Sequence, residues 1–134
     1  MKIYDYDQLI EAGYRIENAL IKKVDLSMAD HGCLTLAMVL NGGCWGTVYG
    51  GYCLGHGYLG AEEFSGSPLG LESIMRIMDT VGVERFQDLQ GKYVRVATKG
   101  LSTSIKIIGN ILQDKWFDIE TFFNDKENNN GETI

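Results

Sequence analysis

From Leu34 to Leu40 every second residue is a large aliphatic (Leu34, Leu36, Met38, Leu40), with Thr35, Ala37 and Val39 between them. A period of two is the signature of a strand, because successive side chains point to opposite faces of a sheet. The run ends in Asn41-Gly42-Gly43, residue types that accept positive φ and so predict a tight two-to-three-residue hairpin connection. Trp45, Thr47 and Tyr49 continue the alternation beyond it as a third strand. Upstream, Ile16, Leu20, Val24 and Leu26 recur at even positions, and Ala19 and Ile21 on the other face suggest a strand covered on both sides near its middle. Asp30-His31-Gly32 supplies turn chemistry between the two runs. Tight turns can join only antiparallel neighbours, so the first half is predicted to be a three-stranded meander.

The second half mixes periods. Ser67-Pro68 is a helix start, with Ser as N-cap and Pro at the first helical position. Leu71, Ile74, Met75, Met78 and Val81 follow at helical spacing, and Gly82 with Val83 suits a left-handed stop. Lys92–Lys99 and Ser104–Leu112 are predicted to form a second hairpin through Gly100-Leu-Ser-Thr. Asp5-Tyr-Asp-Gln8 has the form of a capping box for a short first helix, and Asp118 caps a short last one carrying Phe122 and Phe123. The expectation is therefore an α+β domain over residues 1–123, its antiparallel sheet (the meander plus the second hairpin) packed against one main helix, with short helices at the ends. Residues 124–134, acidic and rich in Asn, are expected to form a disordered tail.

Charge narrows the function. The net charge is −6, which disfavours duplex nucleic acid as a partner, since affinity for it comes mainly from neutralised phosphates. The balance is uneven: residues 76–106 carry six basic and three acidic side chains, while residues 1–75 carry four and nine. A local basic surface for one small anion is therefore compatible with the acidic whole. No apolar run long enough to span a bilayer and no secretory leader is evident, and three irregularly spaced cysteines suit a reducing cytoplasm.

Several motifs carry possible chemistry. Gly55-His-Gly-Tyr-Leu-Gly60 matches the dinucleotide fingerprint in letters, but Glu62 and Glu63 follow where phosphate would lie, and no strand–helix–strand pattern surrounds it. Residues 42–70 hold ten glycines interleaved with Trp45, Tyr49, Tyr52, Tyr58 and Phe64. Such a stretch either bends a strand through bulges or leaves a groove where rings stack on a ligand. On the second hairpin, Arg95 and Lys99 are expected to share a face with Lys106 and Asn110, making a basic ribbon suited to phosphate. The expected ligand-binding set is Trp45, Tyr49, Tyr52 and Tyr58 for stacking, and Arg95, Lys99 and Lys106 for phosphate. His31-x-Cys33 and Cys53-x-x-His56 offer zinc-type donors at spacings of no standard knuckle, and free cysteine commonly behaves as a small apolar side chain. No metal, no cofactor and no catalytic constellation is expected.

Val24-Asp-Leu-Ser-Met-Ala-Asp-His-Gly-Cys-Leu-Thr-Leu36, Tyr49-Gly-Gly-Tyr-Cys-Leu-Gly55, Gly70–Asp79, Gly91-Lys-Tyr-Val-Arg-Val96 and Ile108–Asp118 together resemble small uncharacterised proteins encoded by phages and prophages of Gram-positive bacteria. The resemblance implies a setting, interference with host defence from within the host cytoplasm, and transfers no functional residues. The resulting expectation is a non-enzymatic, homo-oligomeric phage protein that sequesters a small nucleotide-like ligand. The alternatives are an acidic inhibitor of a host defence protein, with Glu62, Glu63, Asp114, Asp118 and Glu120 imitating phosphates, and a small enzyme built on Cys53 and His56.

Overall fold

The computed structural model describes residues 3–100 and 103–132, with side chains through Asp125. The chain runs α1 (Tyr6–Glu11), β1 (Arg15–Asp30), β2 (Cys33–Asn41), β3 (Gly46–His56), β4 (Ser65–Gly66), α2 (Pro68–Val81), a 3-10 turn (Phe86–Leu89), β5 (Tyr93–Thr98), β6 (Ile107–Gly109), β7 (Trp116–Asp118) and α3 (Ile119–Glu132). Seven antiparallel strands form one sheet in the order β4-β3-β2-β1-β5-β6-β7. The 16-residue β1 joins its halves: the start pairs with β5 and the rest with β2. The domain is α+β, as the strand and helix periods predict. Among the described residues, no helix is long and apolar enough to cross a membrane.

Local chemistry places the helices. Asp5 accepts from the Gln8 amide at 2.8 Å while the Gln8 side chain accepts from the Asp5 amide at 3.0 Å, closing the capping box of α1. Ser67 Oγ accepts from the Gly70 amide at 3.1 Å to start α2. Gly82, at φ 91°, ends it, its amide and that of Val83 both reaching the Met78 carbonyl. α2 and α3 cover one face of the sheet over the main core; α1 covers the other, where Leu9 packs with Ala97, Ile107 and Trp116.

Several expectations need correction. The helical stripe facing the sheet is Gly70, Ser73, Ile77 and Thr80, while Leu71 and Met75 are 68% and 67% exposed. Small residues win because they let α2 lie close: a Cβ on Gly70 would stand 2.8 Å from the Leu54 Cα. The buried hydroxyls of Ser73 and Thr80 are satisfied within the helix, by the carbonyls of Gly70 and Arg76. β1 is covered on both sides, Ala19 and Ile21 facing the main core and Ile16 the smaller one, and a bulge at Lys22 then brings Val24 to the main-core face. The β2–β3 connection has four residues, Gly42–Trp45, because the Trp45 indole folds back over Gly42, where a Cβ would overlap the ring. Finally, β6 is only three residues, followed by the unanticipated β7. α3 is likewise longer than a short turn. Asp118 caps it through the Thr121 amide and hydroxyl, and a nucleated helix then propagates at little further cost. Its backbone continues through the segment read as a tail as far as Glu132; residues 133–134 lie outside those described.

The register of β5 and β6 overturns the basic ribbon. Arg95 stands opposite Gly109, and Val96 opposite Ile108. Burial of Val94, Val96 and Ile108 in the main core sets that parity. Arg95 therefore falls on the α1 side, with Trp116, whereas Lys106 and Asn110 follow Ile108 to the other. Asn110 is spent on structure: its Nδ2 donates to the Thr80 and Val81 carbonyls, and its Oδ1 accepts from the Leu112 and Gln113 amides.

Candidate functional site

Two places gather chemistry-bearing side chains, at opposite ends of β2. The first is where β3 begins and β5 ends. Trp45, Glu17, Thr98, Thr103 and Ile105 line a cavity of about 80 Å³. A second, of about 170 Å³, adjoins it through the same Thr98 and Thr103 and is lined by Tyr14, Lys99, Ser104 and Lys106. Lys99 follows the last residue of β5 and Lys106 precedes the first of β6, and both line the second cavity although their partners differ. The Lys99 ammonium sits 4.6 Å over the Tyr14 ring. Burial, reinforced by Asp118 and Glu120, raises the Tyr14 phenol above its ordinary pKa, leaving a neutral ring beneath that cation. Lys106 Nζ is 3.8 Å from Glu120, a half-exposed pair that solvent weakens. The arrangement is two neighbouring hollows, one beside the indole and one beside the two ammonium groups, separated by Thr98 and Thr103, whose hydroxyls both donate to the Gly100 carbonyl.

Of the seven residues expected to bind ligand, Trp45, Lys99 and Lys106 meet here. Tyr49 does not: it is 0% exposed, and its hydroxyl donates to the carbonyls of Lys106, at 3.1 Å, and Phe117, at 3.4 Å. Tyr52 lines neither cavity: it is stacked on Phe123 with centroids 4.5 Å apart, and the Lys106 ammonium lies 5.8 Å from its ring centroid. Tyr58, 65% exposed, lies at the far end of the sheet against Gly32. Arg95 is occupied, Nε donating to the Asn110 carbonyl at 2.8 Å and a terminal nitrogen to the Gln113 carbonyl at 2.7 Å, with the guanidinium over Trp116. The hydroxyls of Thr98, Thr103 and Ser104 were not singled out from the sequence; their density between Thr98 and Ser104 was the available signal.

At the other end, Cys33 on β2 meets Cys53 and His56 on β3. Cys53 Sγ is 3.5 Å from His56 Nε2, Cys33 Sγ is 3.8 Å from both ring nitrogens, and the Cys53 thiol donates to the Gly55 carbonyl at 3.2 Å. Hydrogen bonding to Cys53, then burial and the neighbouring Cys53 and Asp30, raise the Cys33 thiol above its ordinary pKa. A raised thiol is the opposite of an activated nucleophile. His31, the fourth donor suggested by the sequence, is left out: it takes a left-handed φ of 53° and pairs with Asp30 at 2.8 Å. Cys44 is exposed in the distant β2–β3 turn.

The dinucleotide-like glycines span the end of β3 and the loop beyond it. Gly57 donates to the Gly32 carbonyl at 2.8 Å and leaves room for the Phe64 ring, and no helix begins before Pro68. The acidic set also divides. Asp114 accepts from the Tyr6 amide and the Trp116 indole, and Asp118 is buried beneath α3. Glu62 and Glu63 remain exposed, beside Tyr58, Leu59 and Phe64. No protein-family model, curated protein or solved structure matches the chain.

Proposed function

We propose that this chain is a non-enzymatic binding protein that captures a small nucleotide-like ligand at the Trp45 end of its sheet. One observation carries the reading: Trp45, Lys99 and Lys106 line adjoining cavities that share Thr98 and Thr103. A ring face takes a base and ammonium groups take phosphate, the two hollows setting their separation. The Lys106–Glu120 pair yields its cation to a phosphate that outcompetes one carboxylate. In the phage setting that the resemblance implies, capture would withdraw a signalling nucleotide from host defence; a homo-oligomer in the host cytoplasm belongs to the same proposal.

Calorimetry with cyclic di- and trinucleotides and ADP-ribose derivatives tests it. At least one should bind with quenching of Trp45 emission, and Lys99→Glu or Lys106→Glu should weaken it about tenfold or more, the scale of one lost charge-assisted bond. Absence of heat with every member of that panel overturns the reading.

A second reading rests on a different feature. Tyr58, Leu59 and Phe64 are exposed on one loop with Glu62 and Glu63 among them, the make-up of a protein-docking patch with aromatic anchors and a charged rim. The complementary partner is a defence protein presenting an apolar pocket ringed by Lys or Arg. Glu62→Lys with Glu63→Lys should abolish a stoichiometric, salt-sensitive complex with such a partner while leaving nucleotide binding unchanged. A complex indifferent to the reversal excludes this surface.

A further inference from the structure

Cys33, Cys53 and His56 come together through a departure from regular strand geometry. Residues three apart on a strand face opposite sides of the sheet, so Cys53 and His56 would ordinarily diverge. In β3 they do not. Thr35 pairs with Cys53 and Leu34 with Gly55, one step on β2 against two on β3, so Leu54 is an extra residue. That bulge returns His56 to the face of Cys53, and Cys33, the cross-strand partner of His56, shares it. β4 then clamps the far side, pairing Gly55 with Gly66 and His56 with Ser65. Gly55 permits that approach: a Cβ there would lie 2.8 Å from the Ser65 carbonyl oxygen. Three donors on two strands are thus held by ladder bonds on both sides.

We infer that Cys33 Sγ, Cys53 Sγ and a ring nitrogen of His56 form a three-ligand site for a d10 cation of the zinc class, with the fourth position open to solvent. The spacing agrees with that chemistry. An ion bound tetrahedrally at about 2.3 Å from sulfur and 2.0–2.1 Å from nitrogen holds the two about 3.6 Å apart. The observed sulfur–nitrogen separations are 3.5 and 3.8 Å, and all three donor atoms lie within 4.8 Å of one another. Two thiolates with one imidazole select soft and borderline metals over magnesium or calcium, which require oxygen. Binding releases the two thiol protons to solvent; the Cys53 proton is the one now donated to the Gly55 carbonyl. Cys53 and His56 are exposed, so the remaining position is filled by water or by a donor atom from another molecule. Opposite ends of the nine-residue β2 separate this site from Trp45 by about 25 Å, so its occupancy is independent of nucleotide capture.

The test uses the full chain, reduced and stripped with chelator, then titrated with zinc and, in parallel, cobalt(II). Native mass spectrometry should show one zinc per chain with the loss of two protons. Cobalt should give sulfur-to-metal charge-transfer absorption with the intense visible bands of a tetrahedral site. Cys33→Ser and Cys53→Ser should each lower zinc affinity at least a hundredfold and His56→Ala at least tenfold. Cys44→Ser and His31→Ala should bind like the parent. Four of the positions are exposed and Cys33 is half-buried at the start of β2, and circular dichroism checks that each variant folds. Zinc binding that survives in Cys33→Ser or Cys53→Ser overturns the inference. So does octahedral cobalt without charge transfer, or a chain that takes up no stoichiometric zinc, its two thiols forming a Cys33–Cys53 disulfide once reductant is removed.

Discussion

Tyr49→Ala should cost about 3–5 kcal/mol of folding stability, the range for truncating a fully buried aromatic, and should lower the melting temperature by more than any other single aromatic truncation. Tyr49 is wholly enclosed, and its hydroxyl spans from β3 to the Lys106 carbonyl before β6 and the Phe117 carbonyl of β7. Those strands lie at opposite ends of the sheet order. The side chain therefore bridges a sheet curled far enough for distant strands to face each other across the main core. Removing it opens a cavity and unlinks the curl together. Tyr49→Phe separates the two contributions, keeping the ring and losing the hydroxyl, at about 1 kcal/mol. Urea denaturation of both variants measures the pair. A Tyr49→Ala cost near that of Tyr49→Phe would mean that the ring does not hold the curl. Tyr49 lines neither cavity, but its hydroxyl holds the Lys106 carbonyl, so both variants are read by stability alone.

Gly50→Ala is the second severe substitution, expected to cost about 3 kcal/mol or more from backbone strain and overlap combined. Gly50 sits at φ 106°, and a Cβ there would overlap the Leu36 carbonyl oxygen across the β2–β3 ladder. Neither partner can yield, since one is backbone and the other is held in the sheet. Gly51→Ala isolates the strain: its φ is 86° and nothing lies within 4 Å of the added carbon, so about 1–2 kcal/mol is expected. For a chain of this length 1 kcal/mol moves the melting temperature by roughly 3–5 °C, which puts the two variants clearly apart in a thermal melt. Equal melting temperatures would refute the overlap.

Much of this architecture was legible because its causes are local. Asp5 with Gln8, Ser67-Pro68 and Gly82 act within a few residues of themselves, and the Leu34–Leu40 alternation needs only one buried face. The misreadings in the strands share one physical origin, parity. A single extra residue at Lys22, at Gly51 or at Leu54 inverts everything beyond it without altering composition. It left unstated where Val24 pointed after Ile21, and whether Tyr49 and Tyr52 pointed inward or out. The same uncertainty put Arg95 and Lys106 on one face. Cys33, Cys53 and His56 were visible as donors, but only the bulge joins them. In α2 the hydrophobic pattern pointed to Leu71 and Met75, whereas close approach to Leu54 selected Gly70 and Ser73, a choice made by the distant strand and absent from the helix's own residues.

The interrupted ladder of β3 has a consequence for solubility. β4 covers its outer side only at Gly55 and His56, so most of its length lies at the sheet's rim, while the other rim, β7, is three residues long. A straight bare strand rich in rings would invite edge-on addition of another chain and growth into a fibre. Two surplus residues kink the amide row before such a template can form. The same offsets that gather the cysteines and the histidine thus leave no long flat row of amides for a second copy to extend.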